Sequence, residues 1–294
     1  MGKPHKSVLV TGATSGIGLA IVRELTASNF EVIATARNME KASELADALL
    51  GQGLTARILI CDFEDTAEID KLLVEVFEIW PTGPWAVINN AGFGVPGAIE
   101  DVGGQLAQQQ MMINVLAPAQ VIRGVLASMR ARGNGRIINI SSISGRLAPP
   151  FMGWYSASKF ALEALSDSLR VEVRDFGISV VLIEPSGFAS SIWPNSLRLM
   201  PVDADSGPYS RAYSKARKIT NSNFPEPTPV AKIVRIALES PQPKARYPIG
   251  KGTGLIPILR LLPARWLDAV MEINMGLRKP PRILNSLFAR IKRG

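Results

Sequence analysis

The sequence predicts an α/β fold in which one domain is built on a doubly wound parallel sheet. Short apolar, β-branched segments alternate with longer amphipathic segments six times over the first 187 residues, and no long linker or internal repeat divides them. Such alternation is typical of a parallel sheet covered by helices. At 294 residues, with 47% hydrophobic residues, the chain is long enough to bury the core that this fold requires.

The predicted strands and helices follow from two different periodicities. Apolar runs are predicted as strands over residues 7–11, 31–36, 56–61, 85–88, 136–141 and 178–184, with a last strand near 245–249. Amphipathic segments are predicted as helices over residues 17–27, 39–50, 66–80, 105–129, 155–176 and 228–239. In such sheets a ligand binds outside the carboxyl ends of the strands, so the residues after each strand are the candidates for a site.

Cysteine and histidine usage narrows the chemistry. The single cysteine, Cys61, allows no disulfide framework within the chain and indicates a reducing compartment. The single histidine, His5, excludes Ser-His-Asp and Cys-His catalysis and leaves no cluster for a metal. The chain enters its first strand without a signal-peptide core, and no run of about 18 apolar residues occurs. We therefore expect a cytoplasmic protein without a metal site or a spanning helix.

A glycine-rich turn, TGATSGIG, separates the first strand from the first helix. Gly12 and Gly16 allow a tight turn and a close approach of the backbone to a ligand, while Gly18 lets the helix pack on the strand. The N-terminus of the helix then offers N–H groups to a pyrophosphate. The candidate cofactor-binding residues of this turn are Gly12, Thr14, Ser15, Gly16, Ile17 and Gly18.

Arg37 indicates which dinucleotide binds. It follows the second strand, where an acidic residue would accept the ribose hydroxyl of NAD. A guanidinium suits the 2′-phosphate of NADP instead, so NADP(H) is the predicted cofactor and NAD(H) the less favoured one. The alternative is that Arg37 is only a solvated loop residue.

Two further strand ends add candidates for cofactor contact. Asp62, after the third strand, is placed to bind the adenine amino group, or it caps the helix that starts after Asp65. After the fourth strand, Asn90 is predicted to satisfy backbone groups of neighbouring strands, and Gly92 to approach the ribose. Asn90, Ala91 and Gly92 are therefore included among the cofactor-binding residues.

The segment from Ser142 to Lys159 carries the candidate catalytic residues. If Tyr155 opens a helix, Lys159 lies one turn later on the same face. The ammonium group is expected to lower the pKa of the phenol from about 10, which makes Tyr155 a usable general acid or base. Ser142, at the end of the fifth strand, is placed to hydrogen-bond a substrate oxygen. The alternative is a partly exposed helix surface without chemistry.

Asn114 is the fourth candidate catalytic residue. It lies inside the long helix predicted over residues 105–129, and Pro118 follows four residues later. Because proline lacks an N–H group, it leaves the carbonyl of Asn114 without its helical partner, so that carbonyl can hold a water. The alternative is a tolerated kink in a buried helix.

The chain after the sixth strand is predicted to complete the site. Residues 188–227 are long and irregular, which is typical of a substrate lid over the domain formed by residues 1–250. Candidates for the hydrophobic substrate pocket are Val95, Leu147, Phe151, Trp154, Phe188 and Trp193.

The C-terminal extension, residues 251–294, carries most of the net charge of +8. Nine Lys and Arg residues face only Asp268 and Glu272 there, so the rest of the chain is nearly neutral. This favours a local role for the extension over nucleic-acid binding. Basic amphipathic helices lie on anionic membrane surfaces, or pack on their own domain or on a second subunit, and all three fates stay open. Helical spacing links Leu255, Ile258, Leu259 and Leu262, and again Leu284, Leu287, Phe288 and Ile291.

Taken together, these motifs resemble the classical short-chain dehydrogenases/reductases over residues 5–250. The family patterns T-G-x-x-x-G-x-G, N-N-A-G and Y-x-x-x-K correspond to residues 11–18, 89–92 and 155–159, and Ser142 and Asn114 stand at the expected places. The resemblance implies a Rossmann-like fold and NAD(P)-dependent alcohol and carbonyl chemistry. It further implies that Tyr155 is the acid/base, that Lys159 tunes it and holds the nicotinamide ribose, that Ser142 orients the carbonyl, and that Asn114 supports a water in a proton relay.

The loop after the sixth strand departs from the family pattern, which has Pro-Gly and then a threonine. Here the sequence is Pro185-Ser186-Gly187, with Ser190 at the threonine position. The cofactor-binding residues implied for this loop are Pro185, Gly187, Phe188 and Ser190. More loosely, the tail is similar to that of relatives acting on steroids, retinoids or other lipophilic compounds, and the family resemblance also implies a homodimer or homotetramer.

The leading hypothesis is an NADP(H)-dependent oxidoreductase that interconverts a lipophilic alcohol with its ketone or aldehyde. The cofactor supplies the hydride, and the protein supplies position, proton and polarisation. Two alternatives are a cofactor-binding sensor or scaffold with little catalysis, and a membrane-docked enzyme that draws its substrate from lipid.

Overall fold

The structure is a computed structural model, and it describes residues 6–190, 192–200, 206–220, 223–275 and 277. Its strands are β1 (Ser7–Val10), β2 (Glu31–Ala36), β3 (Arg57–Ile60), β4 (Ala86–Asn89), β5 (Gly135–Ile140), β6 (Ile178–Pro185) and β7 (Arg246–Ile249). Its helices up to β6 are α1 (Gly16–Ala27), α2 (Met39–Leu50), α3 (Thr66–Ile79), α4 (Gly104–Met111), α5 (Ala117–Arg132) and α6 (Gly153–Glu172). After β6 come α7 (Ile192–Arg198), α8 (Ser210–Thr220), α9 (Thr228–Glu239), α10 (Ile256–Arg260) and α11 (Ala264–Met275).

The seven strands form one parallel sheet in the order β3-β2-β1-β4-β5-β6-β7. The strand order reverses direction at β1, because β2 lies on one side of this strand and β4 lies on the other. This is the doubly wound, Rossmann-like fold that the sequence predicts. The carboxyl ends of β1 and β4 diverge at that point, which opens a crevice for a ligand.

Alternate side chains along each strand face opposite sides of the sheet and contribute to two separate hydrophobic cores. Val8 and Val10 face one side of the sheet and pack with apolar residues of α1, α2 and α9. Leu9 faces the other side and packs with α3 and α5. Because both faces of the central strands are covered, β1 and β4 are buried along nearly their whole length and are mostly apolar.

Three sequence predictions about elements need correction. The helix predicted over residues 105–129 is interrupted, because a π-helical turn, Met112–Leu116, separates α4 from α5. The segment predicted as irregular between β6 and α9 contains α7 and α8. Tyr155 does not open its helix, since α6 begins two residues earlier at Gly153.

The C-terminal extension is partly integrated into the domain. Met275 of α11 is buried in a cluster with Phe151, Ala212 and Tyr213, so α11 packs against α8. The second predicted amphipathic segment, with Leu284, Leu287, Phe288 and Ile291, lies outside the described residues. Within the described residues one helical stretch, Gly104–Arg132, has the length and composition of a membrane span, and it is the α4–α5 segment whose inner face packs in the core.

Candidate active site

The glycine-rich turn lies at the carboxyl end of β1 and leads into α1. Gly12 and Gly16 have φ angles of +63° and +53°, a region that residues with a β-carbon rarely adopt. A β-carbon on Gly12 would lie 2.6 Å from the Cα of Ala91, so the turn touches the chain after β4. The partly exposed residues of the turn are Gly12, Thr14, Ser15, Gly16 and Ile17. This backbone cradle at a helix N-terminus fits a pyrophosphate.

Asn90 fixes the turn to the end of β4. Its side-chain amide donates to the carbonyl of Thr11 at 3.0 Å and to that of Gly12 at 2.7 Å. The backbone N–H groups of Asn90 and Ala91 both donate to Thr11 Oγ1 at 3.0 Å. A β-carbon on Gly18 would lie 2.5 Å from the Asn90 amide nitrogen. Asn90 therefore has the structural role that the sequence predicts.

Arg37 lies after β2, at the side of the crevice where the second strand ends. Its side chain is exposed and makes no hydrogen bond or ion pair with the residues that the structure describes. The neighbouring Asn38 caps α2 by accepting from the N–H of Lys41 at 3.0 Å. The guanidinium is thus available for an anionic ligand such as a ribose phosphate.

Asp62 lies after β3, next to the same edge. Its carboxylate accepts the N–H of Glu64 at 3.1 Å. The cap of α3 is Asp65, which accepts the N–H of Ala67 at 2.8 Å. The alternative in which Asp62 caps α3 is therefore wrong, because the residue directly before the helix has that role.

Asn114 occupies the π-helical turn, and its side chain is buried. It exchanges two hydrogen bonds with the backbone of Phe93, at 3.0 Å and 2.9 Å, and donates to Ser158 Oγ at 3.0 Å. A β-carbon on Gly92 would lie 3.0 Å from Asn114 Oδ1 and 3.7 Å from Lys159 Nζ. The wide turn thus brings Asn114 beside α6, and such single π-turns occur often at functional sites.

Ser142, Tyr155 and Lys159 meet at the carboxyl ends of β5 and β6. Ser142 Oγ accepts the N–H of Ser144 at 3.1 Å and lies 3.4 Å from the carbonyl oxygen of Pro185. Lys159 Nζ donates to the carbonyl of Ile140 at 2.9 Å and lies 5.8 Å from the centroid of the Tyr155 ring. The helical spacing therefore does bring the ammonium group of Lys159 close to the ring of Tyr155.

The pKa of the Tyr155 phenol differs from the sequence prediction. Burial raises this pKa, and the Ser142 hydroxyl opposes the rise by hydrogen bonding. The predicted lowering by Lys159 is thus wrong in direction for the protein alone. Burial also lowers the pKa of Lys159 to about 8, so its ammonium group loses its proton at a pH only slightly above neutral. At neutral pH the site holds a protonated phenol beside a charged lysine.

Four charged side chains behind the site escaped the sequence reasoning. Arg246 of β7 contacts both Glu163 of α6 and Glu184 of β6 at 3.1 Å. Arg146, in the loop after Ser142, contacts Glu184 at 3.0 Å. Both carboxylates are buried, so each requires the cation that it pairs with. The sequence did contain two signals for these ion pairs. One glutamate lies in the otherwise apolar strand β6, and a second glutamate lies one helical turn after Lys159.

The loop after β6 reaches the glycine-rich turn. A β-carbon on Gly16 would lie 2.5 Å from the β-carbon of Ser190, so these two residues touch. Pro185 ends β6 and Gly187 packs under the ring of Phe224. Phe188 is buried in the core beneath the sheet edge, so the prediction that it lines the substrate pocket is wrong.

The structure distributes the predicted substrate residues over three places. Val95 is buried in a small cluster that the partly buried Trp154 joins, and Phe151 packs against Tyr209 and Tyr213. Leu147 lines a cleft of about 560 Å³ beside α11. The side chain of Trp193 lies outside the described part of the structure. These residues therefore do not form the single pocket wall that the sequence predicts.

Comparison with known proteins places this site in a family. The family model described as short chain dehydrogenase matches residues 6–198. The chain belongs to this family. The uncharacterized oxidoreductase YusZ of Bacillus subtilis is 38% identical over 264 residues, which cover 87% of this chain and 93% of that protein. The family resemblance that the motifs carry is thereby confirmed.

Two solved structures support the same assignment for this short-chain dehydrogenase. A short-chain dehydrogenase from Streptomyces avermitilis matches with a TM-score of 0.76 at 28% identity, covering 100% of this chain and 99% of that one. A metagenomic short-chain oxidoreductase in complex with NADP matches with a TM-score of 0.66 at 26% identity, covering 83% and 96%. The chain is thus an oxidoreductase with a Rossmann-like, nicotinamide-nucleotide-binding fold.

Proposed function

We propose that this short-chain dehydrogenase is an NADP(H)-dependent enzyme that interconverts a lipophilic alcohol with its ketone or aldehyde. The observation that carries the proposal is that Lys159 and Asn114 meet at Gly92, while the Tyr155 ring lies beside Gly94 and 5.8 Å from the Lys159 ammonium nitrogen. The exposed guanidinium of Arg37 supports NADP(H) over NAD(H), as does the NADP bound by the metagenomic relative.

The proposed mechanism gives each side chain one task. NADPH, when bound, supplies a hydride to the carbonyl carbon. Ser142 donates a hydrogen bond to the carbonyl oxygen and orients it. Tyr155 gives its phenolic proton to the same oxygen, and the reverse transfer serves alcohol oxidation. Because burial raises the pKa of Tyr155, the phenol carries at neutral pH the proton that carbonyl reduction requires.

Lys159 and Asn114 complete the proton path in this proposal. Lys159 holds the nicotinamide ribose and keeps positive charge near the phenol as the proton leaves. Asn114 lies in the π-helical turn and its side chain donates to Ser158 Oγ, and in this proposal the turn holds a water that returns the proton to the site.

We propose that residues 188–227 form a lid over this site and that residues 251–294 form a basic C-terminal extension of the same domain. Ser196 of α7 is buried and donates to the carbonyl of Gly94 at 2.8 Å, and Gly94 borders the Tyr155 ring. Tyr213 of α8 donates to Asp101 at 2.5 Å. These contacts support a closed lid, with the apolar groups of Val95, Trp154 and Phe151 beneath it.

The proposed assembly is a homodimer or homotetramer built on α5 and α6. Phe160 and Val171 lie on one face of α6 because they are eleven residues apart, and both are exposed. Covering this face with a second copy removes apolar surface from water. Analytical ultracentrifugation of the wild type and of Phe160→Ser tests this assembly, and a monomeric wild type contradicts it.

The test of function is turnover of NADPH and NADH against a panel of ketones and aldehydes. Each lipophilic compound is paired with a small polar analogue that has the same carbonyl group. We expect turnover with NADPH and a preference for the lipophilic member of each pair. Tight NADPH binding without turnover of any carbonyl compound would instead indicate a sensor or scaffold.

A further inference from the structure

The start of the C-terminal extension presents an exposed apolar surface. Leu255, Ile258, Leu261 and Trp266 have side chains that are 57%, 60%, 85% and 68% exposed. Lys251, Arg260 and Arg265 are exposed among them, and residues 251–266 contain no acidic residue. We call these seven residues the tail surface. Contiguous exposed apolar groups of this kind mark an interaction site.

The tail surface is part of the folded domain. Ile256, next to Leu255, is buried, and Met275 at the end of α11 is buried with Phe151 and Tyr213. Lys215 of α8 donates to the carbonyl of Ile273 at 3.5 Å. The inner side of α10 and α11 is therefore attached to the protein, while the apolar residues of the tail surface face solvent.

The tail surface also borders the loop that carries Ser142. A cleft of about 560 Å³ separates α11 from the loop after β5. Leu267 and Met271 line it on one side, and Leu147, Pro150 and Phe160 line it on the other. Arg146, Arg260, Asp268 and Glu272 also line this cleft, so an object bound at the tail surface lies next to a cleft of mixed polarity.

We propose that the tail surface docks this protein on an anionic lipid bilayer. Leucine, isoleucine and tryptophan side chains enter the headgroup and acyl boundary, and the three basic groups meet lipid phosphates and carboxylates. Tryptophan is enriched at this depth because its ring is apolar and its N–H is polar. The proposal does not depend on the substrate proposed above.

Charge favours lipid over two alternative occupants of the tail surface, which are a second copy of this chain and the rest of its own C-terminal segment. A second copy placed symmetrically on this surface would set Lys251, Arg260 and Arg265 against the same cations. The remaining segment of this chain, residues 278–294, carries six Lys and Arg residues and no acidic residue, so it repels the surface as well. An anionic bilayer complements both the charge and the apolar groups.

The experiment measures co-sedimentation of the full-length protein with vesicles of phosphatidylcholine, alone or mixed with phosphatidylserine. The test variant is Arg260→Glu with Leu261→Ser, and the matched control is Lys71→Glu with Val74→Ser on the exposed side of α3. Circular dichroism and the melting temperature confirm that each variant is folded. We expect about tenfold weaker binding to anionic vesicles for the test variant and no change for the control.

A second readout locates the contact. Brominated lipids in anionic vesicles are expected to quench tryptophan emission of the wild type, and Trp266→Phe is expected to remove most of that quenching. Absence of vesicle binding, equal binding to neutral vesicles, or equal binding by the test variant overturns the proposal. A test variant that changes oligomeric state but not vesicle binding also overturns it and points to a second copy.

Discussion

Glu163 lies one helical turn beyond Lys159 on α6, and both side chains are only 5% exposed. Burial lowers the pKa of the lysine to about 8, and the negative charge of Glu163 opposes that fall. Burial raises the pKa of Glu163 itself, and Arg246 counteracts the rise. The charge state of the proposed catalytic lysine therefore depends first on its burial and then, in the opposite direction, on Glu163.

This relationship predicts a pH dependence. Lys159 is charged below its pKa of about 8 and neutral above it, so carbonyl reduction is expected to decline as pH rises through that value. Glu163→Gln removes the charge that holds this pKa up, so the decline moves to lower pH. The measurement is the pH profile of kcat/KM for reduction.

Asp167→Asn is the matched control for this profile. Asp167 lies one turn further along α6 and pairs with the same Arg246 at 2.6 Å, but it is partly exposed. Its substitution is expected to leave unchanged the pH at which kcat/KM declines on the alkaline side. If the alkaline decline of kcat/KM stays at the same pH in Glu163→Gln, or moves equally far in Asp167→Asn, the role assigned to Glu163 is contradicted.

Tyr155→Phe tests the proposed proton donor. Removal of the phenolic hydroxyl is expected to reduce kcat by about 10²–10⁴-fold, the usual contribution of a general acid, while NADPH binding stays measurable by fluorescence titration. Tyr247→Phe is the control, because that hydroxyl only accepts a hydrogen bond from the Lys244 N–H. Full activity of Tyr155→Phe rejects the mechanism.

Arg37→Asp tests the proposed cofactor preference. An acidic side chain at the end of β2 repels a 2′-phosphate and accepts a ribose hydroxyl, so the ratio of kcat/KM for NADPH and NADH is expected to shift toward NADH. Arg57→Asp makes the same charge change at the opposite end of β3 and is expected to preserve the ratio. If the ratio is the same in Arg37→Asp as in the wild type, Arg37 does not select NADP.

Asn114→Ala tests the π-helical turn. The substitution leaves the N–H of Phe93 without its side-chain partner, which costs about 1–3 kcal/mol, while the carbonyl of Phe93 keeps the hydrogen bond from the Gln110 amide at 2.9 Å. Urea unfolding is expected to show this loss together with a fall in kcat. Gln108→Ala, on the exposed face of α4, serves as the control and is expected to retain stability. If the Asn114→Ala variant has the same stability and activity as the wild type, Asn114 is not part of the active site.

The sequence was sufficient for the fold and for placing the residues at the strand ends along one edge of the sheet. Parallel strands bring their carboxyl ends to one edge, so Gly12, Arg37, Asn90 and Ser142 could be placed together from strand order alone. Local geometry was equally accessible, because a spacing of four residues on a helix fixes the relation of Tyr155 to Lys159.

Properties set by long-range packing could not be read in the same way. The raised pKa of Tyr155 depends on how much water the surrounding chain removes, and that is not encoded in the Y-x-x-x-K spacing. The pairs Glu163–Arg246 and Glu184–Arg146 join residues 83 and 38 positions apart. Phe188 was misplaced for a related reason, because its apolar character fits the core as well as a pocket.

Arg246 has a consequence for how the protein is made. It belongs to the last strand, yet it neutralises Glu163 and Glu184, which are synthesised more than sixty residues earlier. A nascent chain that has not yet released β7 from the ribosome leaves these carboxylates without that cation in an apolar setting. We therefore expect α6 to reach its final packing only when β7 has joined the sheet, and chains that end before β7 to be proteolysed faster than the full-length protein.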